Sequence, residues 1–451
     1  MTITSFPVYD LVCVGFGPAS LAIAIALSES RPNARVLFLE RQSKFAWHSG
    51  MLLPGTRMQI SFLKDLATMR NPRSHFTFTN YLHEQGRLVN FTNLGTFLPL
   101  REEFNDYLSW CADHFVDVVR YSHSVEEIVP VDGQRQIREW DITATNEATG
   151  TVEKFTTRNV VIAIGGRPSI PDGLSSDPRI IHSSRYSSAI PALLSDSSAP
   201  YKIAVIGAGQ SSAEIFQNLG SKYPNAKTSL FIRSHALKPS DDSPFVNEIF
   251  NPERVDEVFA MDAETRRKFK AENAPTNYSV VRLELIEEIY NEMYLQRLRS
   301  PDERTWKHKI HALREVVGQE WVGEEGRVRL KLRNTRTGEM EVTEDTYDAV
   351  VCGTGYKRDV HERLMAGSTH LLRDGSWAVG RDYAVLFKEG AVAQGSGVYL
   401  QGCCEKTHGL SDSLLSILAV RAGEMVNNIF GEPAKANGVS KKRFRTDEAL
   451  A

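Results

Sequence analysis

The sequence predicts an α/β protein with two Rossmann-like dinucleotide-binding domains and a small helical insertion. Three observations carry that prediction: an apolar run into Gly15-Phe-Gly17-Pro18-Ala-Ser20, a second such turn at Gly207-Ala-Gly209-Gln210-Ser211-Ser212, and two further apolar runs that end in glycines. A length of 451 residues suits two or three domains. With 41% hydrophobic and 24% charged residues the chain has the composition of a folded protein rather than a disordered one. The formal charge of −3 provides no global field for nucleic acid or an acidic membrane. An anionic ligand must therefore be held locally.

In order, Tyr9 to Val14 reads as a strand, Leu21 to Leu27 as a helix behind the first glycine turn, and Arg35 to Leu39 as a second strand ending at Glu40. This is a β-α-β unit. The pattern returns with the strand Ile203 to Ile206, a helix from Ala213, and the strand Thr228 to Ile232 ending at Arg233. Val160 to Ile164, before Gly165-Gly166, is expected to close the first unit, and Asp348 to Cys352, before Gly353-Thr354-Gly355-Tyr356, to return the chain to it. Pro168 to Pro200 suits a linker. Residues 247–300 read as a helical insertion, with Val281, Leu285, Ile289 and Met293 at four-residue spacing. The expected domains are 1–198 with 346–431 for the first nucleotide, 199–246 with 301–345 for the second, 247–300 for substrate, and a tail over 432–451.

The two glycine turns let backbone N–H groups and a helix N-terminus approach a pyrophosphate. Serine replaces the third glycine in both copies, and a small residue suffices there. The residue ending each second strand separates the ligands. Glu40 fits a free adenosine ribose, as FAD or NAD offers; Arg233 fits a ribose 2′-phosphate, as NADPH offers. The first unit thus reads as FAD-binding and the second as NADPH-binding. A surface role for Arg233 is the plainer alternative.

Five cysteines, Cys13, Cys111, Cys352, Cys403 and Cys404, form no Cys-x-x-Cys motif and no even-numbered framework. A reducing compartment, the cytosol, is expected, with no metal site. The N-terminal apolar stretch is broken by Asp10, Gly15, Gly17 and Pro18, so neither a signal peptide nor a membrane span is expected.

Beyond the glycines, several segments bear on the reaction: Phe45-Ala-Trp47-His48-Ser-Gly50-Met51, Met58-Gln59-Ile-Ser61-Phe-Leu-Lys64-Asp65-Leu66, Lys238 to Pro252, Asn277-Tyr278-Ser279 and Thr407-His408-Gly409 to Ser416. With them the chain closely resembles, from about Asp10 to Gly431, the L-ornithine N-monooxygenases of fungal siderophore synthesis. The resemblance implies an FAD-dependent, NADPH-consuming hydroxylation of ornithine's terminal amine by O2. It implies a C(4a)-hydroperoxyflavin that is attacked by the amine, and a homotetramer.

By the same resemblance Lys64 pairs with the substrate carboxylate, while Asn247 and Asn277 offer neutral acceptors to its amino groups. Ser416 and the Leu414 backbone complete the substrate site. Met58 and Gln59 match positions beside the flavin, Trp47 and His48 are candidates there with a satisfied buried histidine equally open for His48, and Gly15, Gly17, Pro18 and Glu40 hold its nucleotide part. Gly207, Gly209, Gln210, Ser211 and Arg233 hold NADPH. Plainer roles are open to each: Lys64 as a solvated lysine, Asn247 and Asn277 as helix caps, Met58 as core. His408 is expected to order its loop. Tyr356 follows Gly353 where the family usually has alanine.

The rival readings are lysine N-hydroxylation, another flavin monooxygenase, and a nucleotide-binding redox sensor without turnover. Of the Phe-x-Gly-x-x-x-His fingerprint of related oxygenases only a tail is echoed, His182-Ser183-x-x-Tyr186. A dithiol reductase would need a redox pair, and adjacent Cys403 and Cys404 would form a strained vicinal disulfide.

Overall fold

A computed structural model describes residues 8–432, apart from 132, 134, 324 and 325. Of the expected tail, 433–451 lies outside the described residues. The first unit is a seven-stranded sheet in the order Val119–Arg120, Val36–Leu39, Tyr9–Val14, Val152–Ile162, Trp140–Asn146 and His123–Pro130, with Gly397–Leu400 also paired to Val152–Ile162. Its nucleotide half is parallel, with Val12 opposite Leu37 and Val160. Parallel strands covered on both faces need continuous apolar runs, which is why Leu11 to Val14 and Val160 to Ile162 are all buried. The helix Pro18–Ser30 is apolar all round and buried from Ser20 to Leu27, wedged between the sheet and the helix Leu418–Phe430.

The second unit is a five-stranded parallel sheet in the order His308–His311, Lys227–Phe231, Lys202–Ile206, Ala349–Cys352 and Ile180–His182. Two expectations change here. Ala349–Cys352 does not rejoin the first sheet but pairs with Lys202–Ile206, Val351 opposite Val205. The antiparallel excursion Arg314–Val322, Arg327–Asn334 and Met340–Val342 covers one face of the second sheet, and the chain re-enters the sheet it left. The stretch 168–200 is not a linker either. Ile180 and Ile181 form a strand of the second sheet, and Tyr186, Ile190 and Leu194 are buried in its core.

The helical insertion also divides. Leu283–Arg299 buries Leu285, Ile289 and Met293 in the core of the second unit, because one side of the helix carries that apolar stripe. Pro244 to Ala274, by contrast, is built of short helices, from which Asn247 and Phe250 reach the cavity described next. Met51 and Leu53, from the first unit, belong to the second unit's core. Gly50 lies so near Ser184 that a Cβ would sit 2.1 Å from its carbonyl oxygen.

Candidate active site

A cavity of about 1150 Å³ opens at the second glycine turn. Its lining brings together Trp47, His48, Met58, Gln59, Lys64, Gly207, Gly209, Gln210, Ser211, Arg233, Asn247, Asn277, Leu414 and Ser416, from five separate stretches of chain. Gly15, Gly17, Pro18 and Glu40 stand at the ends of the first sheet's strands, outside that lining.

Both turns fit a pyrophosphate. Gly15 has φ +89°, and a Cβ there would meet the Ala163 carbonyl at 2.9 Å. Gly17 opens onto free space at the uncapped N-terminus of Pro18–Ser30. The buried Glu40 carboxylate accepts from the backbone N–H of Phe16 and of Gln42, each at 2.8 Å, which aims it at the glycine turn with lone pairs left for ribose hydroxyls. In the second unit Gly207 has φ +130°, and Gly209 precedes the helix Gln210–Lys222 with no side chain capping it. Uncapped N–H groups at such a helix end suit an anion. Arg233 projects into solvent at the cavity, with Glu315 3.9 Å away, so its guanidinium is left for a phosphate. Gln210 differs from expectation in one respect. Its amide donates to Glu214 and accepts from Arg282 N–H, so the side chain is committed within the protein.

Met58 is buried, and its N–H donates to the Pro99 carbonyl. Trp47 packs edge-on against His48 and Phe104. His48 holds a left-handed backbone, φ 45°, uncommon for a residue with a Cβ. Crowding by protein, then the nearby charges of Arg101 and Arg358 and the ring of His182, push its imidazole down to about 4. His48 is therefore neutral at pH 7.

Lys64 is half-buried, and among the described residues no carboxylate lies within ion-pair distance of it. Burial alone lowers its ammonium from the ordinary range. Its neighbour Asp65 fixes the turn by accepting from the N–H groups of Ala67, Thr68 and Phe78 at 2.9, 2.6 and 2.7 Å. Asn247 donates Nδ2 to the Asp242 and Ser243 carbonyls, which leaves Oδ1 as the free end of the amide. Ser416 is buried, and its hydroxyl has no hydrogen-bond partner among the described residues.

The segments carrying these groups are tied by further residues, some of them inside the quoted segments but given no partner by the sequence. Tyr278 donates to Glu405 at 2.5 Å, joining the Asn277 segment to the 405–416 loop. Asp412, fully buried, pairs with Arg421 at 2.9 Å and accepts from Cys404 N–H. His408 stacks on Tyr383, 4.0 Å between centroids, and bonds the Arg381 carbonyl. Burial lowers its imidazole to about 4, so it orders the loop as a neutral ring. A buried charge pair is visible to sequence reading only as two charged residues nine positions apart, which is no signal by itself.

The model of the family L-lysine 6-monooxygenase/L-ornithine 5-monooxygenase matches residues 7–358. The L-ornithine N(5)-oxygenase of Arthrobotrys oligospora is 54% identical over 437 residues, 96% of this chain and 90% of the relative. Among solved structures, the ornithine hydroxylase PvdA from Pseudomonas aeruginosa superposes with a TM-score of 0.86 at 39% identity, over 94% of this chain and 99% of that one. The Kutzneria sp. 744 ornithine N-hydroxylase KtzI, named with FADred, NADP+ and L-orn, gives a TM-score of 0.86 at 36% identity over the same shares. With two nucleotide-type glycine turns, the second of them on a cavity with a lysine that is unpaired among the described residues, the chain belongs to the L-lysine 6-monooxygenase/L-ornithine 5-monooxygenase family.

Proposed function

We propose that the chain hydroxylates the terminal side-chain amine of L-ornithine to Nδ-hydroxyornithine, consuming NADPH and O2 with FAD as its flavin. One observation carries the reading: Lys64, an ammonium without a counter-ion among the described residues, shares a cavity with the free amide end of Asn247 and with the Ser416 hydroxyl, which has no partner among them either. A diamino acid needs that set, with one cation for its carboxylate and neutral acceptors for its amines. The naming of the relatives after ornithine supports it.

When bound, FAD takes reducing equivalents from NADPH and supplies the activated oxygen. The chain's own residues do the rest. Lys64 pairs with the carboxylate, and the Leu414 backbone and Ser416 hydroxyl orient the amino acid. Asn247 and Asn277 hold amino groups without adding negative charge, which would pin the reacting nitrogen in its protonated form. Freeing the neutral amine at pH 7.5 from a lysine-like pKa near 10.4 costs about 4 kcal/mol, and desolvation in the cavity offsets part of it. Neutral His48 and buried Met58 keep charge and water from the flavin end. Arg233 selects NADPH through the 2′-phosphate.

The product serves hydroxamate siderophores, and the reaction runs in the cytosol, where thiols stay reduced; the chain's five cysteines are all unpaired. A homotetramer is proposed too, supported by the exposed stripe Leu283, Tyr290, Tyr294 and Leu298 on one helix. Product analysis with ornithine and lysine side by side tests the function. Hydroxylated ornithine should dominate; hydroxylated lysine in equal yield, or none of either, contradicts it.

A further inference from the structure

Arg101 opens the helix Arg101–Asp113 of the first unit and reaches across to Glu214 of the second. Its two terminal nitrogens donate to the two carboxylate oxygens at 2.8 and 2.9 Å, with the side chains 13% and 6% exposed. Arg101 also donates to the Met51 carbonyl at 3.2 Å. Glu214 Oε1 accepts in addition from Gln210 Nε2 at 2.8 Å, and Gln210 Oε1 accepts from Arg282 N–H at 2.9 Å. Arg282 directly follows Val280–Val281, on the segment that bears Asn277. One carboxylate therefore carries bonds to the flavin unit, to the glycine turn of the NADPH unit and, through Gln210, to the substrate segment.

A buried ion pair of this kind adds little net stability, since desolvation offsets its attraction. Its planar two-point contact sets angle as well as distance. Arg101 also neutralises a carboxylate placed just over one helical turn behind the N-terminus where a pyrophosphate would dock. Resting on the hydroxylase reading above, we propose that Glu214 is a positioning residue of the reaction. By holding Arg101 and Gln210 together, it fixes where the NADPH unit and the Asn277 segment meet the flavin unit.

The test uses the full-length, FAD-loaded protein and the variants Glu214→Gln and Glu214→Asp. Anaerobic flavin reduction at saturating NADPH is followed by stopped flow, and hydroxylated amine is counted per NADPH consumed. Misplacing reactants by about 1 Å costs up to roughly 100-fold, so Glu214→Gln should retain flavin yet reduce it about tenfold more slowly. Its product per NADPH should fall while peroxide rises, and Glu214→Asp should recover most of both. Wild-type reduction and coupling in Glu214→Gln would overturn the proposal. If that variant does not fold, Gln210→Leu cuts the branch to Arg282. A raised ornithine KM is then expected, and an unchanged one overturns the relay. Flavin reduction needs no ornithine, so it decides the role of Glu214 even if wild-type protein yields no hydroxylated amine, a result that would sink the hydroxylase reading instead.

Discussion

The Ser212 hydroxyl donates to the Gly353 carbonyl at 3.2 Å, and a Cβ on Gly353 would lie 2.1 Å from that hydroxyl. Ser212 stands where the nucleotide fingerprint usually has its third glycine, and Gly353 stands where related chains usually have alanine. Gly353 leaves the room that the Ser212 hydroxyl fills. Gly353→Ala should destabilise the protein by about 1–3 kcal/mol, the usual range for overpacking, and weaken NADPH binding. Adding Ser212→Gly should restore both. Thermal melts and NADPH KM values across the double-mutant cycle check this, and additive losses would contradict it.

Arg233 has its guanidinium in solvent with a carboxylate 3.9 Å away, so its removal leaves no buried charge behind. Arg233→Ala should raise the KM for NADPH by roughly 10- to 100-fold, matching the loss of about 1.5–3 kcal/mol for hydrogen bonds to a charged group. NADH, which has no 2′-phosphate, should be used almost as before. Steady-state kinetics with both nucleotides decide it, and equal losses would remove the assigned role.

Burial holds the Lys64 ammonium below its ordinary range, whereas a bound carboxylate would favour the charged form. Ornithine affinity should therefore be full below the free enzyme's lysine pKa and fall as pH rises through it. Lys64→Arg should flatten that alkaline limb, and Lys64→Ala should raise the ornithine KM about 100-fold while leaving flavin reduction by NADPH intact. KM profiles between pH 7 and 10 provide the check.

Ser416 presents a buried hydroxyl without a partner, a burden of about 1–3 kcal/mol in the free protein. Ser416→Ala should leave the unliganded protein as stable or more so, yet raise the ornithine KM severalfold. A melt measured beside the kinetics separates the two effects. Lower stability with an unchanged KM would make the residue packing and nothing more.

Much of this was legible in the sequence because glycine turns and apolar strand runs report local geometry directly. Strand membership was not. Ala349–Cys352 reads alike in either sheet, and its partner is chosen by the antiparallel excursion before it, a nonlocal fact. Leu283–Arg299 showed its apolar stripe but not the core that the stripe enters. At the site, Lys64 and Asn247 were found through resemblance to a family, since a lone lysine or asparagine has no spacing signal. Arg101, Glu214 and Arg421 carry no sequence signal, and Asp412 shows none beyond its segment, because their meaning lies in pairing across the fold.

L-Ornithine soaked into crystals loaded with FAD and NADP+ offers the most direct measurement. The substrate carboxylate should lie within ion-pair distance of Lys64, with the terminal amine turned toward the flavin. Ornithine bound away from Lys64, or with its side chain pointing out of the cavity, would contradict the account.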